Sequence, residues 1–96
     1  MDVDHIVALA HAHLFGAASW TMEQKRAFVN DPGNLLVVDD STNQSKSDKA
    51  PHEWMPPRQE YWCTYVAKWV RVKEKYKLSS SPAELKKIEQ IRHSCP

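Results

Sequence analysis

No stretch of this 96-residue chain holds about 18 consecutive apolar residues, which excludes a membrane-spanning helix. Met1 is followed by Asp2 and Asp4 rather than by a basic segment, so no secretory signal peptide is expected on this chain. A strand beginning at residue 2 points to a domain boundary at this end or to a lost upstream piece. Glycine is scarce, at two residues, and no Gly-rich phosphate loop is present. Internal repeats and coiled-coil heptads are absent too. The two cysteines, Cys63 and Cys95, are too few and too far apart for a Cys-type zinc site. A disulfide between them would close a loop of about thirty residues, worth roughly 3 kcal/mol in the chain-entropy account. The alternative is two reduced thiols, as in a cytosolic protein. The bonded pair is expected in protein made under oxidising conditions.

The chain is long enough for one domain, residues 1–96, with a small core fed by four Trp, three Tyr and two Phe. The net charge of +1 conceals a split. Residues 1–57 carry four Lys/Arg against eight Asp/Glu, and residues 58–96 carry nine against four. An acidic half suits a cation and a basic half suits a polyanion, although a solvated surface has the same composition.

Residues 2–7 alternate polar and apolar side chains and predict a strand. Residues 8–15 predict a helix that Gly16 stops. Thr21 and Gln24 form a capping box for a short helix to about Asn30, with Phe28 on its buried face. Asp31-Pro32-Gly33 is a turn, and residues 34–39 predict a second strand. Ser41 and Gln44 fit another capping box, opening a short exposed helix that would hold Asn43 and Lys46 one turn apart on one face. The longest helix is predicted over residues 58–77, with Trp62, Tyr65, Val66, Trp69 and Val70 as its core stripe. Ser81-Pro82-Ala83-Glu84 starts the last helix, which is expected to bury Leu85, Ile88 and Ile91. These elements make an α+β fold, mostly helical, with two strands and additional packed helices.

Two segments about thirty residues apart carry the chemistry. The first, Asp2-Val3-Asp4-His5, sets a carboxylate beside a histidine. The second, from Asn34 through Asn43 to Lys46, adds a carboxamide and a cation. Together they supply ligands for a divalent ion, a base for water and a positive group for phosphate. Asp4 and His5 are strand neighbours, so their side chains diverge and can serve ion and water separately. Oxygen donors from Asp and Asn suit Mg²⁺ or Mn²⁺, with Zn²⁺ or Ni²⁺ as further options. His11 and His13 lie two apart on a helix and point in different directions, which argues against a metal pair, although His11 could still approach Asp4. His52 and His93 read as surface residues.

The order strand, strand, short helix, with His5 on the first strand and Asn43 on the helix, resembles the HNH endonuclease motif of the ββα-metal nucleases. Over these pieces the chain is similar to the HNH domain of RNA-guided CRISPR effectors. Over nearly its whole length it is more similar to the HNH family related to the C-terminal domain of GmrSD-type restriction enzymes. Further matches are His5-Ile6-Val7-Ala8-Leu9, Asn30-Asp31-Pro32, Trp54-Met55-Pro56-Pro57 and Cys63-Thr64-Tyr65-Val66-Ala67. The resemblance implies a ββα-metal core over residues 2–48 with a helical insertion, and a helical part over residues 49–96. It implies a metal-dependent DNA endonuclease. His5 would be the general base, Asp4 and Asn43 the metal ligands, and Lys46 the cation near the scissile phosphate. Asn34 would brace the loop, and Asp2 would stand behind the ligands. DNA is preferred over RNA, with little sequence selectivity, because no base-reading module is present. The basic end of the long helix, Arg71, Lys73, Lys75 and Lys77, is expected to extend the phosphate track. The family and the cysteine pair together suggest export. The alternative is an inactive HNH-like domain that binds nucleic acid or a partner and lacks an N-terminal segment.

Overall fold

The computed structural model describes residues 2–38 and 44–96. Two strands, β1 (Asp2–His5) and β2 (Leu35–Val38), pair antiparallel, with Asp4 opposite Leu36 and His5 opposite Leu35. Among the described residues, the helices α1 (Leu9–Leu14), α2 (Met22–Val29), α3 (Trp62–Lys75) and α4 (Pro82–His93) accompany them. The fold is α+β and mostly helical, built around one two-stranded sheet.

β1 stops at His5 rather than at Val7, and the reason lies in Asn34. The Val7 N–H donates to Asn34 Oδ1 at 2.8 Å, and Asn34 Nδ2 donates to the Val7 carbonyl at 3.0 Å. A side chain thus takes the two bonds a strand neighbour would otherwise supply. Asn34 itself closes the 3₁₀ turn Pro32–Asn34 instead of starting β2. Released from the sheet, Ile6 and Val7 turn into the core, both at 0% exposure.

Both ends of α2 follow local chemistry. Thr21 accepts from the Gln24 N–H, and Gln24 returns the bond to the Thr21 N–H, completing the capping box. Ser81 caps α4 through the Glu84 N–H, but the Glu84 side chain turns inward and does not return to the cap. The cap proposed at Ser41 lies outside the described residues. The long helix begins at Trp62, four residues later than expected, because a 3₁₀ turn, Gln59–Tyr61, occupies its predicted first turn.

The core gathers on α3. Tyr65, Val66, Trp69 and Val72 face inward and meet Phe28, Ile6, Ile88 and Ile91. Leu85 departs from expectation. It is 55% exposed, because α4 turns Glu84, Ile88 and Ile91 inward instead. Cys63 and Cys95 form a disulfide that spans 32 residues and ties the first turn of α3 to the chain just past α4. Cys95→Ser should lower the melting temperature by several degrees, consistent with about 2–4 kcal/mol for a native disulfide in a small domain. Calorimetric scans with unchanged melting would contradict this.

Two carboxylates are held ionised inside this frame. Glu84 is fully buried and accepts from Trp69 Nε1 at 2.9 Å and from Lys73 Nζ at 3.4 Å. His11 Nε2 stands 3.5 Å away, an ion-pair distance without hydrogen-bond geometry. Burial alone would raise the Glu84 pKa, but His11, Ser80, Trp69 and Lys73 outweigh it and hold the carboxyl at about 2. Asp31 is held at about 2 by bonds from Lys75 and Tyr76, against the opposing effect of burial. Both values lie below the ordinary 4.5 and 3.8. The folded state therefore binds fewer protons than the unfolded chain near pH 3–4. The resulting stability is fully present above the unfolded values and is lost as pH falls toward about 2. Urea midpoints should drop between pH 6 and pH 3, and Glu84→Gln should flatten that dependence. Equal midpoints for the parent protein at both pH values would refute the assignment.

Candidate active site

The candidate site is built where β1 ends. His5, the last residue of β1, sends its Nε2 to the Val29 carbonyl at 2.8 Å. A carbonyl only accepts, so Nε2 carries the proton and Nδ1 of the neutral ring keeps its lone pair. Val29 is the last residue of α2, where helix carbonyls lack intrahelical partners. His5 thus satisfies a helix end, and the helix end selects the tautomer.

Asp4 leaves the sheet on the opposite face from His5, in register with Leu36. Its Oδ2 is buried and, among the described residues, has no hydrogen-bond partner. Lys46 lies in a short helical stretch at residues 44–46 and is 0% exposed. Its Nζ also lacks a hydrogen-bond partner. Burial lowers the Lys46 pKa, while the charges of Asp4 and then Asp48 oppose that shift. An orphaned carboxylate oxygen and an orphaned ammonium therefore share one buried region. Buried polar atoms are rarely left unpaired, so both call for an explanation.

Tyr65 forms the wall behind this region. It is fully buried, and its hydroxyl donates to the Ile6 carbonyl at 3.4 Å. Burial first, then the charge of Asp4, pushes its pKa above the usual phenol range, so it stays a neutral donor. The Trp54 ring lies 6.0 Å from Tyr65, and Trp54 Nε1 donates to Ser45 Oγ at 3.1 Å. That contact anchors the Lys46 turn against the aromatic wall. Tyr65 had been placed in the core stripe on periodicity alone. Its neighbourhood with Asp4 has no local signal in the sequence.

The structure brings Asp4 and Lys46 into electrostatic contact, with His5 one residue along β1 and Asn34 clamping the loop after it. Asn43 lies outside the described residues, as does the Asp2 side chain. Among the described residues, no group of three or more His, Cys, Asp or Glu is placed to hold a metal. The buried Oδ2 of Asp4 does fit a cation, since it is a hard oxygen with no donor. His11 turns away from Asp4. Its ring stacks on Phe15 at 4.6 Å and faces Glu84.

The basic end of α3 needs correction. Lys73 is 5% exposed, donates to the Ser79 carbonyl at 2.6 Å and pairs with Glu84, so its charge is already committed. Residues 73 and 69 share a helix face, and that face is the core. Lys75 reaches Asp31 at 2.6 Å. Arg71 and Lys77 are exposed.

A family model described as the C-terminal domain of GmrSD restriction endonucleases matches residues 1–89. A protein of Arthroderma benhamiae, described as an uncharacterized secreted protein, is 44% identical over 97 residues. The match covers 99% of this chain and 48% of that protein, so the chain spans about half the length of this relative. No solved structure matches.

Proposed function

The chain belongs to the family of GmrSD restriction-endonuclease C-terminal domains, and from that premise we propose that it is a metal-dependent endonuclease that hydrolyses DNA phosphodiester bonds. The proposal takes residues 1–96 as one domain, with an HNH-type ββα-metal core over residues 2–48 and a helical part over residues 49–96. The observation that carries it is the His5 contact with Val29, which assigns the proton to Nε2 and makes Nδ1 the nitrogen that can accept one.

His5 takes the proton from the attacking water at Nδ1. The charge that develops on the ring is met at Nε2 by the Val29 carbonyl, at the negative end of α2. Asp4, with Asn43, would hold a divalent ion, Mg²⁺ or Mn²⁺ ahead of Zn²⁺ or Ni²⁺. When bound, that ion supplies Lewis-acid stabilisation of the phosphate oxygens. Lys46 supplies a positive charge in a water-poor region, where it acts most strongly on charge that grows in the transition state. Asn34 fixes the loop that follows His5 and so fixes the direction of β1 at the site. Asp2 would support the ligands from the strand start. The disulfide and the secreted relative support function outside the reducing cytosol.

The test is conversion of supercoiled plasmid DNA to nicked or linear form, with Mg²⁺, Mn²⁺, Zn²⁺ or Ni²⁺ in turn and with EDTA. Metal-dependent conversion is expected. Its absence with every one of the four ions would favour the second reading, an HNH-like domain that binds nucleic acid or a partner without cutting.

A further inference from the structure

A cleft of about 510 Å³ lies between α3 and the end of α4, on the side of the disulfide. Lys68 and Arg71 from α3 and Arg92 from α4 line it, with Thr64 and the Cys63–Cys95 bridge beneath. No Asp or Glu side chain lines it. Among the described residues, none of these three cations forms an ion pair, whereas Lys73 and Lys75 are both committed to carboxylates. Complementing the helix dipole accounts for Arg92 in the last turn of α4. It does not account for Lys68 and Arg71 in the middle of α3.

The covalent frame explains the convergence. Thr64, Lys68 and Arg71 recur at helical spacing and share one face. Arg92 lies three residues before Cys95, whose bond to Cys63 pins the end of α4 beside that face. Cations gathered in one cleft repel one another, and an anion relieves that repulsion.

Ring contacts link the cleft to the candidate site through the core. Lys68 Nζ lies 5.9 Å from the centre of the Tyr61 ring, and Tyr61 packs on Tyr65 at 6.3 Å. Tyr65 in turn feels the charge of Asp4.

We propose that Lys68, Arg71 and Arg92 hold backbone phosphates of duplex DNA in this cleft. The proposal rests on the nuclease reading and replaces the buried Lys73 and the paired Lys75 as the phosphate track. The bridge would act as the clamp that keeps Arg92 in the cleft.

The test is binding of a labelled 20-base-pair duplex in EDTA across a salt series, so that binding is read without cutting. Arg71→Gln/Arg92→Gln removes two exposed charges, and Arg26→Gln/Lys86→Gln is the charge-matched control, both exposed and outside the cleft. The cleft variant should lose about 1.8 from the slope of log affinity against log salt, since each phosphate contact contributes about 0.9. It should also bind at least tenfold more weakly at 50 mM salt, while the control keeps the parent slope. An unchanged slope in the cleft variant, an equal loss in the control, or no duplex binding by the parent protein would overturn the proposal. Plasmid cleavage is scored separately. A protein that binds through the cleft but never cuts keeps this inference and loses the nuclease reading. One that cuts with an unchanged slope in the cleft variant does the reverse.

Discussion

Replacing His5 by alanine is expected to lower plasmid cleavage by about 10²-fold or more, the usual weight of a general base. The estimate rests on a single bond. With Nε2 donating to Val29, only Nδ1 can accept a proton from water. The substitution also leaves the Val29 carbonyl without its donor at the end of α2, so a small loss of stability is expected, about 0.5–1.5 kcal/mol. The two effects separate cleanly. A stability loss of that size cannot unfold a typical domain, so the fall in turnover would belong to chemistry. Binding of Mn²⁺ should change little, because Asp4 points to the opposite face of β1. Cleavage within a few-fold of the parent rate in His5→Ala would remove His5 from the mechanism.

The second large effect is expected at Asp4. Asp4→Asn keeps the shape but removes the charge from a carboxylate whose Oδ2 is buried without a donor. Cleavage should fall by about 10²–10³-fold, the equivalent of several kcal/mol of lost charge stabilisation at about 1.4 kcal/mol per tenfold. Mn²⁺ affinity measured by calorimetry should fall with it. Folding stability has an opposing pair of terms. Removing a buried, unpaired charge relieves a cost, while Lys46 loses the nearest negative charge that supports its ammonium. Little net change in melting temperature is therefore expected. A variant that keeps both its Mn²⁺ affinity and its turnover would sink the metal site proposed at Asp4. Loss of turnover with unchanged Mn²⁺ affinity would instead give Asp4 an electrostatic task toward Lys46.

Much of the local structure was legible because it depends on neighbours in the chain. The Thr21 capping box, the turn at Asp31-Pro32-Gly33 and the apolar period of α3 are each decided within a few residues. Two strands and a mostly helical remainder follow from the same patterns. Element ends were less legible. β1 ends at His5 because Asn34, 27 residues away, captures the Val7 peptide, and no local pattern announces that capture. α3 starts late because a 3₁₀ turn fits between Arg58 and Trp62.

The charged residues divide in the same way. Composition shows that residues 58–96 are basic, but it treats Arg71, Lys73, Lys75 and Lys77 alike. Packing separates them. The helical period turns Lys73 toward Trp69 and the core, and the buried Glu84 on α4 compensates its charge there. Lys46 shows the opposite case. It lies in a polar stretch with almost no apolar content, which reads as exposed, yet its side chain is fully buried beside Asp4.

From the sequence alone came the residue types of the candidate site, their order along the chain, and the options open to the cysteine pair. The tertiary structure decided which atoms are free to act. It gave His5 its tautomer through a helix-end carbonyl and, among the described residues, left Asp4 Oδ2 and Lys46 Nζ without hydrogen-bond partners. It also drew Lys68, Arg71 and Arg92 together across a disulfide. The physical reason is that hydrogen bonding and burial are long-range properties of the chain. A side chain's period places it on a face, but only the partner that arrives from a distant segment determines whether its proton, lone pair or charge is already taken.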